Sequence, residues 1–158
     1  MNISEVMTKN VKSCGAADSL EHAAQIMWEN DCGCVPIVGN DGRVLAMLTD
    51  RDISMAAYTQ NRLLAQIPVS TAASHGVFSA RADDSIEAAE RLMQQKQVRR
   101  LPIVDAEQRL VGILSFNDLA RAQSMLGRKA HNGLSNDSIA ETVAAICEPR
   151  TRPAVATA

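Results

Sequence analysis

A single internal displacement constrains this chain more than any other feature. Moved by 66 residues, positions 11–53 lie over positions 77–119 without a gap. VKSCGAADSLEHAAQIMWENDCGCVPIVGNDGRVLAMLTDRDI falls on VFSARADDSIEAAERLMQQKQVRRLPIVDAEQRLVGILSFNDL. Val11 meets Val77, Asp18 meets Asp84, Ser19 meets Ser85 and Met27 meets Met93. Pro36-Ile37-Val38 meets Pro102-Ile103-Val104, and Arg43, Leu48 and Asp52 meet Arg109, Leu114 and Asp118. A register kept over this length means that one supersecondary unit has been duplicated. A unit of about 60 residues is marginal alone, so the two are expected to pack together.

Each copy reads as strand, helix, strand, strand, helix. The first strand is expected near 11–13 and again near 77–79. Asp18 and Asp84 each precede a Glu by three residues, an acidic form of the capping box at a helix start. Leu20, Ala23, Ala24 and Met27 recur at helical spacing, as do Ile86, Ala89 and Met93. Two strands follow, Val35–Val38 and Arg43–Leu48 in the first copy, Leu101–Val104 and Arg109–Leu114 in the second. Pro36 and Pro102 cannot donate to a ladder, so their strands should be short or lie at an edge. A second helix follows TDRD (49–52) and SFND (115–118). The segment SNDSIAETVAAICE (135–148) predicts a further helix with Ile139, Val143 and Ile146 on one face. The fold class expected is α+β, with units at 1–65 and 66–126 and a helical tail at 127–158 whose last residues, TRPAVATA, are loose.

Composition narrows the function by exclusion. The net charge of −2 makes no electrostatic case for nucleic acid or a membrane surface. One Trp, one Tyr and two Phe are too few for base-stacking platforms. No apolar run approaches the roughly 20 residues of a spanning helix, and MNISEVMTKN lacks the apolar centre of a signal peptide, so the expectation is a cytoplasmic protein. There is no GxSxG, GxxxxGK[ST] or HExxH, and no enzyme activity is expected.

TDRD and SFND carry the chemistry. Thr49 or Ser115 can cap the helix that follows. Asp52 or Asp118 there suits the helix dipole. A carboxylate can also accept both vicinal hydroxyls of a ribose, and a hydroxyl beside free N–H groups at a helix start can meet a phosphate. The cap explains one such motif; its recurrence at one point of both copies asks for more.

The duplicated pattern resembles a tandem pair of cystathionine β-synthase (CBS) domains. VMT before the first strand, the xPIV strand, and an apolar strand followed by Thr or Ser, two residues, Asp and an apolar residue carry the resemblance over residues 3–124. TDRDI and the trailing AICEP resemble stand-alone bacterial members. The resemblance implies β-α-β-β-α units packed as a pseudo-twofold pair, a homodimer, and clefts for AMP, ADP, ATP, or less often S-adenosylmethionine or NAD. It implies a regulatory module that signals to a partner by conformational change. It assigns Thr49 and Asp52 to one site and Ser115 and Asp118 to the other. Arg99 and Arg100 stand where such proteins often place a phosphate-binding cation; Gly33 and Cys34 occupy those places in the first copy. A phosphorylated adenosine is therefore expected to prefer the Ser115/Asp118 side. Val35 and Leu101 would face adenine and are equally ordinary core positions. Ala46 departs from the glycine kept at Gly112, and Ala73-Ser74 departs from Met7-Thr8; both changes are expected to alter the ligand walls.

The cysteines supply a rival reading. Cys14, Cys32, Cys34 and Cys147, with His22, His75 or His131, could hold zinc or a redox site, and a Cys14 bridge to Cys32 or Cys34 is conceivable. Cys-x-Cys lacks the paired spacing of a structural zinc site, so buried thiols are the simpler expectation. A third reading is an adaptor whose clefts stay empty.

Overall fold

The computed structural model describes residues 1–74, 76–126 and 134–149. His75, His131 and the TRPAVATA tail lie outside those residues. The element order is β1 (Cys14–Gly15), α1 (Leu20–Glu29), β2 (Cys34–Val38), β3 (Val44–Thr49) and α2 (Asp50–Gln60). The second unit repeats it as β4 (Ala80–Arg81), α3 (Ile86–Lys96), β5 (Arg100–Val104), β6 (Leu110–Ser115) and α4 (Phe116–Leu126). Helix α5 (Asn136–Cys147) follows.

Each unit has a three-stranded sheet, ordered β1-β2-β3 and β4-β5-β6. β2 pairs parallel to β1 and antiparallel to β3, and β5 does the same with β4 and β6. The proline-bearing strands are thus short but central. β1 pairs only with Ile37 and Val38, so no partner on that side asks Pro36 for a donor. Both sheets break register at one place, Ile37/Val38 and Ile103/Val104. The initial strands lie a few residues beyond the expected 11–13 and 77–79.

The helix caps also differ from expectation by one residue. Ser19 and Ser85 are the N-caps, accepting from the N–H groups of His22 and Ala88 at 3.2 Å. Asp18 and Asp84 instead close the preceding turns, accepting from the N–H groups of Gly15 and Arg81 at 2.8 Å. Either neighbour can cap, and the carboxylate is the one that reaches back to the strand.

The segments leading into the two repeats are exchanged. Residues 1–8 pack on the second unit: Ile3 N–H donates to Asp84 O at 3.0 Å, and Thr8 and Ile113 exchange hydrogen bonds of 2.9 and 3.0 Å. Ile3 is fully buried in the second core. Residues 64–74 pack on the first unit, where Leu20 N–H donates to Ile67 O at 2.9 Å and Ser74 N–H to Met47 O at 2.9 Å. Ile67 and Val69 are fully buried in the first core. The sheets also touch directly: Val44 N–H donates to Gln108 O at 3.3 Å and Leu110 N–H to Gly42 O at 3.1 Å.

The exchange explains the Ala46 and Ala73 departures together. A Cβ at Gly112 would sit 2.7 Å from Met7 Sδ and 3.0 Å from Thr8 O. In the first unit Ala73 replaces Met7, and both Ala73 and Ala46 fit in the buried core. The glycine answers the segment crossing it.

Helix α5 lies on α3 and α4. Leu134 is 2% exposed, Thr142 is fully buried, and Ile139 and Ile146 pack on the second core. Val143, expected on the buried face, is exposed instead. The stripe runs through Thr142 because Gln94 Nε2 donates to its hydroxyl at 2.8 Å, satisfying a polar group that burial would otherwise penalise.

Candidate functional site

The two motifs build the same hydrogen-bonded cycle. Thr49 N–H and Oγ1–H donate to Asp52 Oδ2 at 2.8 and 2.7 Å, and Asp52 N–H donates back to Thr49 Oγ1 at 3.2 Å. Ser115 N–H and Oγ–H donate to Asp118 Oδ2 at 2.7 and 2.5 Å, and Asp118 N–H donates to Ser115 Oγ at 3.2 Å. Each is a capping box, so the structural role is fully realised. It uses one carboxylate oxygen and leaves the other.

That second oxygen separates the copies. Asp118 Oδ1 accepts from Arg121, one turn along α4, and Asp118 is buried. Met55 stands at the corresponding place on α2, and Asp52 Oδ1 has no hydrogen-bond partner among the described residues.

Arg100 links the two sides. Its backbone pairs with Ser115 across β5 and β6, as Cys34 pairs with Thr49 across β2 and β3. Its guanidinium reaches the other unit. A Cβ at Gly33 would lie 3.1 Å from both Arg100 Nη2 and Asp50 Oδ2. The missing side chain at Gly33 therefore admits a cation from the opposite copy, beside the start of α2. Arg99 is exposed, with its carbonyl accepting from Phe116 N–H at 2.9 Å. Arg51 is exposed. Val35 and Leu101 are buried at 1% and 0% and lie within their cores. A groove of about 480 Å³ between α1 and α2 is lined by Gly33 and Asp50 at one end and Trp28 and Ile53 along it; Thr49 and Asp52 do not line it.

All four cysteines are free thiols. Burial pushes Cys14 up to about 11, assisted by the Asp18 charge. Burial pushes Cys34 up to about 11 as well, opposed by Arg100. Both stay protonated at neutral pH, the reverse of what a reactive thiol needs. Cys14, Asp18 and His22 bring donor atoms within 4.8 Å of one another. The expected zinc or redox set included Cys14 and His22 but not Asp18; β1 and the first turn of α1 bring these three together, without Cys32, Cys34 or Cys147.

Comparison with known proteins agrees with this geometry. The CBS domain model matches residues 3–58 and 69–124, and the chain belongs to the CBS domain family. CBS domain pairs are in general regulatory rather than catalytic. The CBS domain-containing protein YhcV of Bacillus subtilis is 38% identical over 137 residues, covering 87% of this chain and 95% of the relative. Hypoxic response protein 1 of Mycobacterium tuberculosis is 35% identical over 150 residues, covering 92% and 93%. Its crystal structure, described with two coordinated zinc ions, matches with a TM-score of 0.71 over 78% of this chain and 99% of that one. The CBS pair of MJ0100 in complex with 5′-methylthioadenosine and S-adenosyl-L-methionine matches at TM-score 0.72 and 22% identity, covering 80% and 98%. CBSX2 in complex with AMP matches at 0.70 and 22%, covering 80% and 98%. At that identity the last two establish the fold. Among the described residues no helix is long and apolar enough to cross a membrane.

Proposed function

We propose that this chain is a cytoplasmic sensor of adenine nucleotides, AMP, ADP or ATP, without catalytic activity of its own. The observation that carries the reading is the pair of Thr/Ser–Asp cycles, set at equivalent points of a pseudo-twofold pair, with the Arg100 guanidinium of the second unit against Gly33 of the first. Asp52 offers its remaining oxygen to ribose hydroxyls, while the α2 N-terminus and Arg100 suit a phosphate. Two related folds bound to adenosine-containing molecules support the ligand class.

The side chains shift the expected preference. The arginine pair in sequence favoured Ser115/Asp118. Arg121 already occupies Asp118, and the Arg100 guanidinium reaches Gly33 near the start of α2, so the proposed first site is Thr49/Asp52. Ser115/Asp118 is the second, open once Arg121 swings away. Val35 and Leu101 would reach adenine only after a local shift. Ligand binding then favours one arrangement of the units, and a partner protein reads the change. We also propose a homodimer through the α1/α2 face, where Trp28, Tyr58 and Met55 are 88%, 82% and 47% exposed.

Calorimetric titration of the full chain with AMP, ADP, ATP and S-adenosylmethionine tests the reading. Asp52→Ala should weaken binding about tenfold or more, the loss of one charge-assisted pair of hydrogen bonds. Arg100→Gln should weaken phosphate-bearing ligands selectively, and Asp118→Ala should have a smaller effect. Absence of heat with every ligand would overturn the function; loss falling on Asp118→Ala alone would overturn the order of sites.

A further inference from the structure

We propose that Cys14, Asp18 and His22 form a binding site for a zinc-class divalent cation, separate from the nucleotide motifs. Cys14 is the first residue of β1, Asp18 precedes the N-cap of α1, and His22 lies in the helix's first turn. The spacing Cys-x3-Asp-x3-His, folded around one strand-to-helix turn, makes the three side chains converge. One sulfur, one oxygen and one nitrogen donor lie within 4.8 Å of one another. Around a tetrahedral zinc, such donors stand roughly 3.5 Å apart. No pair of donors need close by more than about 1.3 Å, and His22 is exposed.

The duplication provides an internal control. Asp84 repeats Asp18, and each aspartate accepts from a backbone N–H of the preceding turn at 2.8 Å. The aspartate is therefore a shared structural element, with one oxygen used in the turn and one left. Cys14 is buried in the first core, as Ala80 is in the second, and His22 is exposed; neither takes part in that turn hydrogen bond. Their counterparts are Ala80 and Ala88. In the second unit these alanines, with Asp84 and Arg91, line an open cavity of about 330 Å³. The first unit sets a thiol and an imidazole at the corresponding positions and replaces Arg91 with Gln25, removing a cation from the neighbourhood. Two substitutions add ligating atoms and a third removes a competing charge.

The donor set identifies the class of ion. A thiolate and a carboxylate together neutralise a dication, and the thiolate–imidazole pair selects zinc-like ions over magnesium or calcium. Three protein ligands leave a fourth position for water or an incoming group. Binding displaces the Cys14 thiol proton to solvent and forms the metal–sulfur bond; no redox change is involved.

Cobalt(II) titration of the reduced, chelator-treated full chain tests the site, with zinc competition measuring affinity. One equivalent should bind with a thiolate-to-cobalt charge-transfer band and the strong visible absorption of a four-coordinate ion. Cys14→Ser should abolish the charge-transfer band, and His22→Ala should weaken binding about tenfold or more. The triple variant Cys32→Ser/Cys34→Ser/Cys147→Ser should keep both the band and the affinity. Circular dichroism of each variant separates ligand loss from unfolding, and His22→Ala, at an exposed position, is the decisive one. No band in the wild type, a band that survives Cys14→Ser, or an affinity unmoved by His22→Ala would each overturn the site. None of these outcomes bears on nucleotide binding.

Discussion

Helix α5 crosses the α3/α4 face of the second unit, while the matching α1/α2 face of the first unit is left with Trp28 and Tyr58 in the open. The repeat register shows why α5 selects one face. Glu90 accepts from Ser138 Oγ at 3.2 Å, Gln94 donates to Thr142 at 2.8 Å, and Gln97 donates to Ala145 O at 3.3 Å. The corresponding residues of the first unit are Ala24, Trp28 and Asp31. At the first two rungs a polar ladder that holds a helix has become an apolar, aromatic surface. The same asymmetry recurs at the motifs, where Arg121 ties Asp118 and Met55 leaves Asp52 available. In the second unit the chain's own groups fill both places; in the first those places stay available to other molecules.

The sharpest break in this comparison is expected from Leu134→Ala. Removing a side chain that is 2% exposed should cost about 2–5 kcal/mol in chemical denaturation. Trp28→Ala on the bare face should change monomer stability by no more than about 0.5 kcal/mol and should dissociate the proposed dimer in sedimentation. Equal stability losses from the two would erase the distinction between a covered and an open face.

The next effect concerns the exchanged segments. Gly112→Ala should cost about 1–3 kcal/mol, because its Cβ meets Met7 and the Thr8 carbonyl. Adding Met7→Ala should restore part of that loss, reproducing the Ala46/Ala73 combination of the first unit. Strict additivity in the double-mutant cycle would mean that the two positions are independent.

The smallest effect is read against pH. Burial beneath α5 raises the Glu90 carboxyl above its ordinary range; Ser138 and Thr142 oppose this, while Glu87 and Glu141 add to it. The folded state therefore binds this proton more readily than the unfolded chain. Its stabilising share is present at low pH and lost as pH rises through the raised pKa. Glu90→Gln should be the more stable protein at neutral pH, and its advantage should shrink as the solution is acidified through the carboxylate range. A pH-independent difference between the two melting curves would remove burial as the cause.

Much of this was legible in the sequence. The duplication gave the element order, and the recurrence of Thr49–Asp52 as Ser115–Asp118 gave the paired motifs. What escaped depended on distances between copies. Residues 1–8 and 64–74 carry similar apolar spacing, and spacing does not say which core a segment enters. Arg100 lies in the second copy by number and against Gly33 in space. Asp18 and Ser19 are both competent caps, and only the turn at Gly15 decides between them. Thr142 breaks the apolar stripe of α5, and its burial follows from a hydrogen bond to a helix 48 residues earlier.

The exchanged segments also impose an order on synthesis. The first core is complete once residues 64–74 have emerged, immediately after the unit they cover. Residues 1–8 must wait for β6 and Ile113, a further 39 residues from Ser74. At typical rates of elongation this is a delay of about 2–8 s. Through that interval Ile3, translated ahead of the whole first unit, has no complete core to enter. The nascent second unit is thus the stage at which a chaperone would find apolar sequence exposed, and its closure draws together residues translated farthest apart.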